Sequence, residues 1–452
     1  MKLTIIGGGG FRVPQIVEAL GRRPAGEIDV TEICLYDVSA ERLAVMMSVL
    51  EQLPVARKPR ILPESDMGRA VRDADFVFSA IRVAGTEGRV MDELIPLRHG
   101  VLGQETVGPG GYAYAMRTIP VALELARAIK ENAPSAWVIN FTNPAGIITQ
   151  AMRQVLGNRV IGICDTPIGL VRRAARVLGE REAGLDYDYV GLNHLGWLRS
   201  VVRDGEDLLP GLLANPRLLS QMEEARLIGL DWVQELGMIP NEYLFYFYRN
   251  REAIEQILGE EKTRGQFLCD QQRAFYRAAL EEMAHAGELW NGAHREREET
   301  YMAEARDVAG DGARDEADLD GGYQEVALDL MSALSGSRPA RMILGVANAE
   351  SGARAIPALS DDAVIEIPCR VDEHGPVPVA IAPLGGTELG LIMQVKACEN
   401  YVIDAVRSKD PGKGWRALAS HPLVDSIDVA KAIFDEYCAA IPEVAAVFEN
   451  KE

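Results

Sequence analysis

The chain has 452 residues, 48% of them hydrophobic, and a formal net charge of −20. That length suffices for two lobes or one large composite unit around a sizeable core. The charge excludes nucleic acid and anionic membrane as main partners, although a few local arginines can still hold a small anionic substrate. No apolar run is long enough to span a bilayer. Met1 is followed at once by Lys2 and a strand-like run, which leaves no room for a signal peptide, so a cytoplasmic chain is expected. The six cysteines (Cys34, Cys164, Cys269, Cys369, Cys398, Cys438) contain no C-x-x-C pair, and most of them read as free, buried thiols.

The first part alternates strand and helix. Leu3–Ile6 reads as a strand, Pro14–Leu20 as a helix, Ile28–Tyr36 as a second strand and Ser39–Gln52 as a second helix. Asp75–Ile81, Ala136–Ile139 and Val160–Cys164 follow as strands, with helical stretches at Val121–Glu131 and Gly146–Leu156. Such alternation implies a parallel sheet covered by helices, a Rossmann-like α/β unit over residues 1–183. Residues 184–452 read as a mixed α+β unit for catalysis, substrate and oligomerisation. In it Tyr187–Leu192 and Trp197–Arg203 look like strands, and Arg273–Ala286 and Leu389–Ala405 like helices. Ala363–Arg370 and Val377–Ile381 read as a strand pair turning near Glu373-His374-Gly375. The stretch Glu296–Gly322, rich in Asp, Glu, Gly and Ala, reads as a solvated excursion.

Gly7-Gly8-Gly9-Gly10 follows the first strand and precedes a helix. Glycine there permits a tight turn and close backbone approach to a pyrophosphate at the helix N-terminus. The second strand ends at Asp37, whose carboxylate can accept from ribose hydroxyls and would repel a 2′-phosphate, so NAD is expected over NADP. The bland alternative is a tight turn alone.

Cys164-Asp165 stands at the C-terminal end of a strand, the edge where open α/β sheets bind ligands. Asn193-His194 reads as a polar pair inside an apolar strand flanked by Gly191 and Gly196. One thiolate and one imidazole make an incomplete metal site that leaves positions open for substrate oxygens. Taken singly, each residue reads equally as a buried thiol or a hydrogen-bonded core histidine.

Taken in order, the motifs resemble a known family. They are Gly7-Gly8-Gly9, Ile81-Arg82-Val83, Gly103-Gln104-Glu105-Thr106 followed by Gly108-Pro109-Gly110-Gly111, Asn140-Phe141-Thr142-Asn143-Pro144, Cys164-Asp165, Asn193-His194 and Pro240-Asn241-Glu242-Tyr243. Together they resemble glycoside hydrolase family 4 over most of the chain, weakening after Glu296. Asn193-His194-Leu195-Gly196-Trp197 and Pro240–Leu244 look most like its 6-phospho-β-glucosidase branch.

The resemblance implies a fold similar to that of lactate and malate dehydrogenases, use of NAD and a divalent metal (Mn2+ foremost), a phosphorylated glycoside as substrate, and a homodimer or homotetramer. The family's chemistry departs from the two-carboxylate scheme. It runs through C3 oxidation, C2 deprotonation, elimination at C1, water addition and re-reduction. Oxidation is needed because a C2–H beside a hydroxyl is too weakly acidic for any side chain, whereas beside a ketone a base can remove it.

By resemblance, Cys164 and His194 are the metal ligands, Tyr243 is the base and Glu105 assists the base or the metal. Asp165 matches the general acid of the α-glucosidase-like members. Arg89, Asn143 and Arg264 match substrate-binding positions, with Arg264 set for a 6-phosphate. Asn140 and Asn143 bracket a strand end, where they can bind sugar hydroxyls or cap the next helix. Ile81, Arg82 and Val83 line the nicotinamide side, alongside Gly7, Gly8, Gly9 and Asp37. Three positions depart from the common pattern: Gly10 stands where Ser is frequent, Ala84 where Gly is frequent, and Asp165 where β-branch members often carry Asn. Two other classes compete: a 2-hydroxy acid dehydrogenase with the same fold and cofactor but no metal, and a sugar-phosphate or dinucleotide sensor without activity.

Overall fold

The computed structural model describes residues 1–299 and 322–449, so most of the expected charged excursion, residues 300–321, lies outside the described residues. The strands are β1 (Lys2–Ile6), β2 (Glu32–Tyr36), β3 (Arg60–Glu64), β4 (Phe76–Ser79), β5 (Trp137–Asn140) and β6 (Val160–Gly162), then β7 (Asp186–Leu192), β8 (Leu195–Arg203), β9 (Glu206–Asp207), β10 (Ile239–Pro240), β11 (Ala340–Ala347), β12 (Val364–Asp372) and β13 (Gly375–Pro378). All belong to one sheet, whose main path runs β10-β8-β7-β12-β11-β6-β5-β4-β1-β2-β3. From β6 to β3 the pairing is parallel; from β6 through β11, β12 and β7 to β8 it is antiparallel.

The inner parallel strands β1, β4, β5 and β6 are buried on both faces, which explains their nearly continuous apolar sequences. Along β4, Phe76 and Phe78 enter one core while Val77 enters the other; along β5, Trp137 and Ile139 divide from Val138 in the same way. The second core is closed by helix Gly108–Asn132 together with Cys398, Val402, Ile433 and Phe434 from helices Gly386–Ser408 and Ile427–Ala440. The change from parallel to antiparallel order thus falls near the expected boundary at 183, yet the sheet is continuous and the C-terminal helices return to the first half. Within the sheet, β6 and β11 pair at one glycine pair: Gly162 faces Gly345, and a Cβ on Gly345 would lie 3.2 Å from the Gly162 backbone.

Several elements differ from expectation. The second strand is shorter than Ile28–Tyr36, beginning only at Glu32. β3 had not been anticipated because Pro63 interrupts it; an edge strand tolerates the missing donor. The helix expected at Val121–Glu131 runs from Gly108 to Asn132. Its Gly-Pro-Gly-Gly start reads as a breaker, but a Cβ at Gly110 would lie 2.3 Å from the Gln104 carbonyl oxygen and one at Gly111 2.6 Å from Thr106. Close packing therefore overrides weak propensity. Among the described residues no helix is long and apolar enough to cross a membrane.

Candidate active site

The C-terminal ends of β1, β4, β5 and β6 open on one edge of the sheet, and the motif residues gather there. After β1 the chain turns sharply: Gly7 and Gly8 N–H both donate to the Tyr36 carbonyl, and Gly10 N–H donates to the Gly7 carbonyl. Gly7 has φ of +91°, and a Cβ there would lie 2.5 Å from the Ala80 carbonyl oxygen. The turn feeds helix Val13–Arg22, which has Pro14 in its first turn. The Asp37 carboxylate accepts from Gly9 N–H and Ser39 N–H, both at 2.9 Å, which ties the end of β2 to the glycine loop. Arg42 lies 4.7 Å over the ring of Tyr276, whose hydroxyl donates to the Gly9 carbonyl.

The segment after β4 is fixed by its backbone. Ile81 N–H donates to Thr142 Oγ1, while the Ile81 and Val83 carbonyls accept from Tyr114 Oη and Arg117 Nε. Ala84, at the start of helix Gly85–Arg98, adopts φ of +64°, the left-handed region that favours glycine.

Glu105 is gripped by two arginines, Arg82 Nη1 at 2.5 Å and Arg89 Nη1 at 2.6 Å. Although burial opposes ionisation, these guanidinium groups hold its carboxyl down at about 2. Arg89 also binds Glu93 at 2.9 Å, and Glu93 Oε2 accepts from Gly265 N–H at 2.7 Å. One carboxylate therefore brings Arg89 to the start of helix Arg264–Glu281, which carries a Thr263–Gln266 capping box. Arg264 donates to the Arg297 carbonyl at 3.0 Å. The side chain of Asn140 is consumed locally, binding Thr142, Ala145 and Thr149; it braces the strand end but does not cap helix Ala145–Leu156. Asn143 precedes Pro144 across a cis peptide.

Asn193-His194 is not inside a strand, as the sequence suggested; it forms the two-residue turn between β7 and β8. Gly191 and Gly196 pair across this hairpin because a Cβ on Gly191 would lie 2.2 Å from the Leu195 carbonyl oxygen. His194 has φ of +63°, an uncommon conformation for a non-glycine residue and one that recurs at functional positions. Asn193 accepts from Ala145 N–H and donates to Glu366 Oε1, joining the hairpin to the Asn143-Pro144 turn and to β12. Burial raises the Glu366 carboxyl to about 7.

His194 is buried, its Nδ1 lies 3.0 Å from Thr106 Oγ1, and Tyr243 lies flat on its ring at 3.7 Å and 1°. Burial pushes the imidazole down to about 3, so the ring is neutral. Its Nε2 is buried without a hydrogen-bond partner among the described residues. A neutral imidazole with an orphaned nitrogen suits a metal ion, and the donor set fits that use. Cys164 is likewise buried; without a cation, burial and the Glu366 and Asp165 charges push its thiol well up. Its Sγ lies 4.0 Å from Asp165 Oδ1.

Tyr243 stands in the turn Glu242–Leu244, held by Asn241, whose side chain accepts from Tyr243 N–H. Of the three tyrosines in this run, Tyr248 accepts from Trp197 Nε1, and Tyr243 is the one stacked on His194. Arg173, buried against Glu223, Glu224 and Glu242, ties this turn to the helix that begins after Asp165. Sequence reading missed Arg173. It also missed Tyr323, whose phenol is pushed well up by burial and then by the charges of Asp165, Cys164 and Tyr243, and whose ring centre lies 5.9 Å from that of Phe141. No motif surrounds either residue; Tyr323 follows the charged stretch directly.

Comparison with known proteins gives the family. Residues 2–180 match the model described as family 4 glycosyl hydrolase, and residues 189–424 match that of the family's C-terminal domain. The chain belongs to glycosyl hydrolase family 4. Relatives include a probable 6-phospho-beta-glucosidase of Bacillus subtilis, 30% identical over 100% of this chain and 98% of the relative. Another is a maltose-6′-phosphate glucosidase of Clostridium acetobutylicum, 31% identical over 96% of each chain. Among solved structures, the 6-phospho-beta glucosidase of Thermotoga maritima with manganese, NAD+ and glucose-6-phosphate matches with a TM-score of 0.80 and 26% identity, covering 98% of this chain and 99% of that one.

Proposed function

We propose that this family 4 enzyme hydrolyses 6-phospho-β-glucosides with NAD and a divalent cation, Mn2+ foremost. The observation that carries the reading is the Tyr243 ring laid on His194, whose buried Nε2 has no hydrogen-bond partner among the described residues. A phenol beside a metal-ligating imidazole suits removal of a proton next to a metal-polarised oxygen. The relatives' names and the bound groups of the Thermotoga structure support the same choice of substrate and cofactors.

Gly7, Gly8 and Gly9 give the pyrophosphate its close approach to the helix N-terminus, Asp37 accepts from the ribose, and Ile81, Arg82 and Val83 line the nicotinamide side. Cys164 and His194 would hold the cation. When bound, NAD takes up and returns a hydride, and the cation stabilises negative charge on sugar oxygens. Tyr243 removes the C2 proton, and Asp165 protonates the oxygen leaving C1. Glu105, kept ionised by Arg82 and Arg89, supplies a fixed negative charge felt by His194 rather than a proton acceptor. Arg89 and Arg264 take the 6-phosphate and Asn143 a sugar hydroxyl; the first pairing is supported by Glu93, which binds Arg89 and the N–H of Gly265, the residue after Arg264. The enzyme works in the cytoplasm as a homodimer or homotetramer, with residues 1–183 serving the dinucleotide and 184–452 the substrate and assembly.

Asp165 favours a second reading, a 6-phospho-α-glucosidase, because the α-like members carry Asp there and a maltose-6′-phosphate glucosidase stands among the relatives. A panel of α- and β-linked nitrophenyl glucosides, with and without a 6-phosphate, separates the readings. The expected result is cleavage of the β-linked phosphate only, dependent on NAD and Mn2+, with no net NADH. Cleavage of the α-linked compound alone would replace the anomeric choice. Net NADH formation from a 2-hydroxy acid without glycoside cleavage would replace the reaction class.

A further inference from the structure

We propose that Gln104, acting through Thr106, is a positioning residue that sets the tautomer of His194. The proposal rests on reading His194 as a metal ligand. Gln104 Oε1 receives Thr106 N–H at 2.6 Å and Val107 N–H at 2.7 Å. Two backbone donors converging on one atom identify it as the carbonyl oxygen, not the amide nitrogen. Thr106 Oγ1 lies 3.0 Å from the same oxygen, and its single proton must go there, because that atom can only accept.

The Thr106 hydroxyl therefore offers only lone pairs to His194 Nδ1, 3.0 Å away. Nδ1 must carry the proton, and in a neutral imidazole Nε2 is then a bare lone pair. That nitrogen is buried and has no partner among the described residues. The Gln104–Thr106 relay thus dictates which nitrogen a cation meets, across 88 positions of sequence between Thr106 and His194.

Metal-binding histidines commonly receive this service from a carboxylate or a backbone carbonyl. Here the adjacent carboxylate, Glu105, is occupied by Arg82 and Arg89, and a hydroxyl pinned by an amide takes its place. Gln104 has a second duty, since it satisfies backbone N–H groups at the start of helix Gly108–Asn132. Thr106→Val is therefore the cleaner probe: it keeps the shape and removes only the hydroxyl.

The tautomer can be read directly by 15N NMR of histidine-labelled, metal-free enzyme, with the His194 signals identified by their loss in His194→Ala. Wild type and Thr106→Ser should show the Nδ1–H form of His194. Thr106→Val and Gln104→Leu should populate the Nε2–H form and weaken Mn2+ binding roughly tenfold, the lower end for lost outer-shell partners of metal histidines. NAD affinity should not change. An Nε2–H form in wild type, or Thr106→Val that keeps both the pure Nδ1–H form and wild-type Mn2+ affinity, overturns the proposal. If His194→Ala leaves Mn2+ affinity intact, the metal-ligand reading fails instead, while the NMR comparison still decides the relay.

Discussion

The glycine loop after β1 and the hairpin tip at His194 offer their expected ligands opposite kinds of groups. In the loop the groups on offer belong mostly to the backbone. Gly7 through Gly10, Tyr36 and Asp37 lie in two short segments, and their hydrogen bonds follow from one strand-turn-helix unit beside a second strand. At the hairpin tip they belong to side chains. His194 depends on Thr106, Tyr243 and the Asn193 link to Glu366, which come from four separate stretches of chain. A backbone site tolerates replacement of its surroundings as long as the glycines and the carboxylate that fixes their loop remain. A side-chain site is sensitive to any member of its network.

The largest effect expected from this contrast is at Tyr243. Tyr243→Phe keeps the ring stacked on His194 but has no phenolic oxygen, so glycoside cleavage should fall by orders of magnitude while NAD and Mn2+ still bind. Wild type turning over in heavy water should place deuterium at C2 of the released sugar; NMR showing none, with full activity in the absence of NAD, would refute the elimination route. A smaller effect is expected at the loop. Asp37→Ala removes the acceptor for Gly9 N–H and for the ribose, and losing a charged hydrogen bond costs about 1.5–3 kcal/mol. Titration should show weaker NAD binding and less discrimination against NADP. Unchanged affinity for both dinucleotides would remove Asp37 from the cofactor site.

The smallest effect is at Ala84, where a left-handed φ of +64° is occupied by a residue with a Cβ. Ala84→Gly relieves a strain of about 1 kcal/mol, partly offset by the greater freedom of glycine in the unfolded chain. Thermal unfolding should shift upward by about a degree, with NAD affinity unchanged. A fall in Tm would mean that the strain is already relieved by neighbouring contacts.

The sequence alone determined the alternation of strand and helix in the first half, the glycine turn and the position of Asp37, because these depend on periodicity and on local backbone geometry. It also identified the motifs that mark the family, since each is a short run of residue types. Only the tertiary structure decided that one sheet crosses both halves through Gly162 and Gly345, and that the C-terminal helices cover the first half. It likewise turned the Asn193-His194 pair into a hairpin tip, gave Asn140 a structural duty and brought Arg173 and Tyr323 to the site. The physical reason is distance along the chain. A turn or a strand is set by neighbours a few residues apart, whereas which side chain answers a buried histidine nitrogen is settled by packing between segments whose separation no local pattern records.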